Sequence, residues 1–267
     1  MLEQKIALVT GGSAGIGLAV ARQLSARGMR VALAARSEKT LRDVARELGG
    51  EAFVCDMNDL ASVATLPSKV IERMGALDVV VNNAGLHHRG PLVSIEPFAL
   101  GNMITVNLTA PIVLCRAAVP LLRAPGSIVN VASLAGMVPM PFQVTYGASK
   151  AGLRAFSRAL RDELAGTGVT VSVVSPGPVD TGFFGAELER VADVAFSQPM
   201  STAEQVAKAV VRCIDEGTPE VALPWLSGKL CTLGYLSPAL TRLLRPAMER
   251  RGARNKQAYI ERKRATS

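Results

Sequence analysis

Short, continuously apolar runs alternate with longer amphipathic stretches along the whole chain. The runs are KIALVT (5–10), RVALAA (30–35), EAFVC (51–55), LDVVV (77–81), GSIVNVA (126–132), VTVSVVS (169–175) and EVALP (220–224). They lack the apolar/polar alternation of a half-exposed strand, so they read as seven strands buried on both faces, as in a parallel sheet between helical layers. The stretches between them carry helical spacing: Leu41, Val44, Ala45 and Leu48 recur on one face before the stop signal Gly49-Gly50. This alternation predicts an α/β Rossmann-type doubly wound parallel sheet with right-handed crossovers and helices on both faces. No linker, low-complexity segment or transmembrane-length apolar run is expected before the tail.

At 267 residues and 49% hydrophobic content, one large α/β domain fits better than two small ones. The expected division is a catalytic domain over 1–224, with a substrate lid at about 182–200, and a basic amphipathic C-terminal extension of that domain over 225–267. The N-terminus has none of the regions of a signal peptide, and Cys55, Cys115, Cys213 and Cys231 form no CxxC pair. A cytoplasmic chain with reduced thiols is the expectation. Of the net charge of +8, an excess of seven falls between residues 242 and 264, where nine basic residues face two acidic ones. Basicity therefore belongs to the tail and says little about the body.

After the first strand comes TGGSAGIG, with Gly11, Ser13, Gly15, Ile16 and Gly17 leading into a helix. Glycines permit a tight turn there and let a helix N-terminus approach a pyrophosphate. The spacing is GxxxGxG, and the GK[ST] ending of a nucleoside-triphosphate loop is missing. The second strand ends at Ala35-Arg36, where an NAD-binding chain places a carboxylate for the ribose hydroxyls. An arginine instead suits the extra phosphate of NADP, so NADP(H) is the expected cofactor. Alternatively, Arg36 only decorates the next helix, with Ser37 as its N-cap. Asp56 either meets the adenine or caps the turn that follows it.

Tyr146 and Lys150 are four apart in TYGASKAGLRAFSRALRDEL, so a helix puts them on one face. To act as a base near neutral pH, a tyrosine of pKa near ~10 needs its phenolate stabilised by about 3 to 4 kcal/mol, which a nearby ammonium helps to supply. Ser133, at the end of the fifth strand, can donate to a substrate oxygen where charge develops. Taken singly, each residue is equally well a half-buried helix residue, a solvated lysine or a strand-end cap. Their joint appearance downstream of a nucleotide loop argues for a site. His87 and His88 read as solvated or pocket-edge residues, and no metal is expected.

On these elements the chain resembles the short-chain dehydrogenase/reductase family, in its single-domain NADP-preferring branch with a C-terminal extension. The likeness covers about residues 4 to 224 and rests on residues 10–17, Asp56, the Asn82-Asn-Ala-Gly85 run, Asn107, Ser133, Tyr146 with Lys150, and Pro176-Gly177 with Val179 and Thr181. The resemblance implies the strand order 3-2-1-4-5-6-7 and a tetrad. In it Tyr146 transfers the proton, Ser133 holds the substrate oxygen, Lys150 binds the nicotinamide ribose and lowers the tyrosine pKa, and Asn107 positions a water. It also implies that Asn83, Ala84 and Gly85 line the adenosine side and that Pro176, Gly177, Val179 and Thr181 meet the nicotinamide. The implied activity is the NADP(H)-dependent interconversion of a carbonyl and an alcohol, in a homodimer or homotetramer.

Many members of that family end in a short glycine-rich segment at a subunit interface, whereas this chain continues for more than forty residues. In that continuation Leu240, Leu243, Leu244, Ala247 and Met248 share a helical face, and Pro246 is expected to restart or kink the helix. Peripheral contact with an anionic membrane is one reading of this basic amphipathic tail. Packing on the body or on a partner subunit is the other. No specific nucleic-acid binding is expected, because no module or aromatic platform accompanies the charge. The lid, with Phe183, Phe184 and Phe196, and the apolar Met137, Val138, Met140 and Phe142 suggest a lipophilic substrate. The rival functions are a 3-oxoacyl-thioester reductase and a catalytically idle NADP-binding sensor or scaffold.

Overall fold

In the computed structural model, residues 4–181 and 191–266 are described. The main sheet contains β1 (Ile6–Thr10), β2 (Arg30–Ala35), β3 (Glu51–Val54), β4 (Val79–Asn82), β5 (Gly126–Val131), β6 (Val169–Pro176) and β9 (Glu220–Leu223). All are parallel, in the order β3-β2-β1-β4-β5-β6-β9. This is the expected order, with the seventh strand numbered ninth because β7 (Val179–Asp180) and β8 (Ser201–Thr202) pair in a small separate sheet.

The doubly buried strands explain the continuous apolar runs. Along β1, Ala7 and Val9 join one core with α1 (Gly15–Ser25), α2 (Glu38–Glu47) and α7 (Ala203–Glu216). Ile6 and Leu8 join the opposite core with α3 (Leu60–Met74), α5 (Ala110–Ala118) and α6 (Val144–Glu163). The period of two is present, but both phases meet helices. Strand order reverses between β1 and β4, which opens a crevice at their C-terminal ends.

Two expectations need correction. The helical stretch Pro97–Leu121, from α4 (Pro97–Ile104) through α5, is long and apolar enough by composition to cross a membrane. Met103, Val106, Ala110, Leu114, Cys115 and Ala118 are buried in the protein, so its apolar character serves packing on the body. In the tail, α8 (Trp225–Leu236) is followed by α9 (Pro238–Thr266), one element that contains Pro246, so of the two expected outcomes the restart does not occur. The missing donor costs one bond to the carbonyl of Arg242, a local loss.

Beyond that proline, α9 is held to the body. Gly252 lies against the carbonyl of Asp193, Asn255 Nδ2 donates to Phe196 O (2.9 Å), and Lys256 Nζ donates to Val191 O (2.7 Å). The Tyr259 hydroxyl donates to Asp180 in β7 (2.7 Å), beside the Lys263–Asp180 ion pair (2.9 Å). This part of the tail therefore packs on the body, and several of its cations are paired. Phe196, expected in a substrate lid, is instead 1% exposed and packed against Tyr259. Residues 182–190 of that lid, including Phe183 and Phe184, lie outside the described residues.

Candidate active site

The loop after β1 is shaped by what a side chain would do there. Gly11 has φ +65° and Gly15 φ +53°, conformations that L side chains rarely adopt. A Cβ on Gly17 would overlap the carbonyl of Gly11, so the start of α1 can press against the loop only with glycine. Thr10 Oγ1 accepts from the backbone N–H groups of Asn83 and Ala84, each at 3.1 Å, and Asn83 Nδ2 donates to Thr10 O (3.0 Å). These bonds tie the end of β1 to the turn after β4. The residue capping α1 is Ala14, which makes no side-chain cap bond. The first N–H groups of α1 are thus left to an external acceptor, which suits a pyrophosphate.

Ser133 terminates β5 and accepts from Ala135 N (3.2 Å), capping a short 3-10 turn, Leu134–Gly136. That turn abuts α6 because Gly136 and Gly147 have no Cβ: one on Gly136 would lie 2.6 Å from the Lys150 carbonyl carbon, and one on Gly147 2.9 Å from Ala135 O. Ser133 is thereby brought to Tyr146. Lys150 is buried, donates through Nζ to Val131 O (2.9 Å), and stands 6.0 Å from the Tyr146 ring centroid. Burial lowers its pKa to about 8. Burial also pushes the Tyr146 phenol above its ordinary value, opposed by the hydrogen bond with Ser133 and the charge of Arg89. Arg89 is thus a second cation near the phenol, beside Lys150, which the resemblance implied.

Asn107 is fully buried in a π turn, Thr105–Thr109. Its Oδ1 accepts from Leu86 N (2.8 Å), while Nδ2 donates to Leu86 O (2.9 Å) and Ser149 Oγ (3.2 Å). A Cβ on Gly85 would lie 3.2 Å from Asn107 Oδ1 and 3.6 Å from Lys150 Nζ, so these groups converge behind Gly85.

One cleft of ≈ 1770 Å³ is lined by Gly11, Gly15, Ile16, Asn83, Ala84, Gly85, Ser133, Tyr146, Lys150, Pro176, Gly177, Val179 and Thr181. This exceeds the roughly 300–1,000 Å³ of a usual ligand pocket and leaves room for a dinucleotide and a second molecule. Ser13, Gly17, Arg36, Ser37, Asp56 and Asn107 do not line it. Arg36 and Ser37 are exposed. Ser37 occupies the N-cap position of α2, but its hydroxyl bonds Thr40 Oγ1 (3.2 Å) and caps no backbone group. Asp56 Oδ1 accepts from Asn58 N (3.0 Å), the turn-capping arrangement.

Of two further lining residues, His87 fits the pocket-edge reading and Arg89 was not legible. His87 stacks on Tyr146, and Arg89 is only 7% exposed. Nothing in HHRG marks one loop cation as buried; the signal was only their closeness to the NNAG turn. The remaining wall is mostly apolar and comes largely from the tail, which also sets Arg242, Arg245 and Arg251 along it. Leu226, Leu230 and Leu233 of α8 and Leu244, Ala247 and Met248 of α9 face Val138 and Met140 across the cleft. Met137 instead packs with Leu134 and Cys231, and Phe142 is exposed.

Comparison with known proteins agrees with this architecture. Ketoacyl reductase HetN of Nostoc sp. is 35% identical over 254 residues, covering 89% of this chain and 86% of the relative. The 3-oxoacyl-[acyl-carrier-protein] reductase FabG of Escherichia coli is 36% identical over 183 residues, covering 67% and 75%. A short chain dehydrogenase from Burkholderia cenocepacia, solved with NADP, superposes with a TM-score of 0.75 at 32% identity, over 83% of this chain and 96% of that one. A blue fluorescent protein from a metagenomic library, solved with NADPH, gives 0.77 at 33%, over 83% and 97%. With the family profile described as short chain dehydrogenase matching residues 5–192, across the nucleotide loop, Ser133, Tyr146 and Lys150, the chain belongs to the short chain dehydrogenase family.

Proposed function

We propose that this chain is an NADP(H)-dependent oxidoreductase that interconverts a carbonyl and a secondary alcohol on a lipophilic substrate. The observation that carries the reading is the shared cleft, in which Ser133, Tyr146 and Lys150 lie beside the glycine loop and the Pro176–Thr181 segment. The loop fits a dinucleotide because glycine at 17 lets α1 close onto the Gly11 turn and α1 starts without a side-chain cap. When bound, NADP(H) supplies or accepts the hydride. Arg36 takes its 2′-phosphate, Gly11, Ser13, Gly15 and Ile16 its pyrophosphate, Asp56 and Asn83–Gly85 its adenosine, and Lys150 its nicotinamide ribose.

In the reductive direction the Tyr146 hydroxyl gives its proton to the substrate oxygen, and in the oxidative direction it takes one back. Ser133 donates to the same oxygen where charge develops. Asn107, fixed by Leu86 and Ser149, holds the turn that abuts Lys150. The apolar wall of Val138, Met140, Leu226, Leu230, Leu244 and Met248 favours a long or polycyclic apolar body over a small polar ketone. The four buried, free cysteines suit a reducing compartment, so the proposed setting is the cytoplasm, as a homodimer or homotetramer.

The decisive experiment is titration with NADPH and with NADH, followed by nicotinamide fluorescence, and then a ketone panel with the preferred cofactor. Tight NADPH binding, weakened at least tenfold by Arg36→Ala, and faster turnover of lipophilic than of small ketones are expected. Preference for NADH would overturn the role of Arg36, and binding of neither would leave an idle scaffold. A second reading, reduction of a 3-oxoacyl thioester, is favoured by the similarity to HetN and FabG. Turnover of a β-ketoacyl thioester ahead of simple ketones would select it.

A further inference from the structure

Helix α8 is mostly apolar, with Lys229 exposed one turn after Trp225 and Thr232 exposed one turn before Leu236, and meets the body through small residues only. Its buried positions are Ser227, Gly228 and Cys231, with Gly228 set directly against Ala222. Leu226, Leu230 and Leu233 face the cleft. Trp225 and Leu236, with Leu243 at the start of α9, do not line it and are 71%, 74% and 76% exposed. A cluster of large exposed apolar side chains marks a contact surface.

The charge beside this patch selects the occupant. On α9, Leu243, Arg250 and Arg254 follow one another at i, i+7 and i+11, all exposed, on the face opposite Gly252, Asn255 and Tyr259, which dock on the body. Arg242 and Arg251 are exposed too but line the cleft, so the outward charge rests on Arg250 and Arg254. A second copy seated here would bring two strongly cationic tails together, whereas an anionic bilayer supplies the opposite charge and takes up the leucines and tryptophan.

We propose that the outer side of α8 and the arginine-bearing face of α9 form a docking surface for an anionic lipid bilayer, on which the protein lies without spanning it. This goes beyond the oxidoreductase reading and does not depend on it.

Trp225 is the chain's one tryptophan, so its emission reports directly on the patch. The full-length protein would be mixed with phosphatidylcholine vesicles, with or without phosphatidylglycerol, and followed by fluorescence and co-sedimentation. Expected is a blue shift with the anionic vesicles, weakened by salt and reduced at least tenfold in Leu236→Glu/Leu243→Glu. That variant should retain NADPH binding, since neither residue lines the cleft. Equal binding to neutral vesicles, no shift with anionic ones, or a lipid-free shift that grows with protein concentration, indicating a second copy on this face, would each overturn the proposal.

Discussion

The imidazole of His87 lies parallel to the Tyr146 phenol, with ring centroids 4.0 Å and planes 14° apart. The stack fixes the plane of the side chain proposed to carry the proton, and such pairs contribute about 0.5–1.5 kcal/mol beyond their burial. Burial and the charge of Arg89 hold the His87 pKa down to about 3, so the ring is neutral wherever the protein is folded and active. His87→Phe should keep most of the turnover and an unchanged pH–rate profile, while His87→Ala should lose roughly tenfold in kcat, or about 1.4 kcal/mol. If His87→Phe abolished an ionisation near neutral pH, the ring would be a titrating participant and this reading would fail.

Tyr146→Phe keeps the ring and its stack and removes only the hydroxyl. Turnover should fall by roughly 10²–10⁴-fold, the range for losing a positioned proton donor. NADPH affinity should stay within a few-fold of wild type by the same fluorescence titration. Retained turnover would remove Tyr146 from the chemistry.

Lys150 makes folding stability depend on pH. Its pKa falls from 10.5 to about 8 on burial, so between these values the unfolded chain binds the proton and the folded one does not. Stability from this group therefore rises with pH across that window, by on the order of 3 kcal/mol, and is lowest below about pH 8, where the folded state carries a buried charge. Urea unfolding of the cofactor-free protein should show Lys150→Met gaining on wild type at pH 7 and losing that advantage by pH 10. A pH-independent difference would mean that Lys150 is not desolvated.

At Gly17 a methyl group would meet the carbonyl of Gly11 and the Asn83 amide, and neither can withdraw without opening the loop. Gly17→Ala should weaken NADPH binding at least tenfold, or about 1.4 kcal/mol. Gly101→Ala in α4, with nothing within 4 Å of the added carbon, should bind normally and is the control for a substitution that merely changes a helical glycine.

The tail's hold on the body is testable at Tyr259. Its hydroxyl bond helps to keep the Asp180 carboxyl below its ordinary pKa and raises its own. Tyr259→Phe should cost about 1 kcal/mol. Tyr259→Ala also empties the space against Phe196 and Val191 and should cost about 3–5 kcal/mol. Thermal unfolding gives the magnitudes, and faster proteolysis within α9 gives the location. Because α9 lines the cleft, KM for a lipophilic ketone should rise in Tyr259→Ala.

What the sequence determined by itself was local and periodic. Seven apolar runs, buried in both phases, specify a parallel sheet, and the glycines of residues 11–17 specify a turn that only one backbone path satisfies. Tyr146 and Lys150 share a face by helical spacing alone. Tertiary structure decided whatever depends on residues far apart in the chain. Phe196 reads as a lid residue in sequence, and only the packing of Tyr259 from α9 upon it makes it a core residue. Arg89 reads as one more loop cation until burial beside Tyr146 gives it influence there. The basic tail shows its amphipathic pattern in sequence, but whether that pattern meets the body, the cleft or the outside depends on which side of each helix finds a complementary surface. Periodicity fixes which residues share a face, and only packing fixes what that face meets.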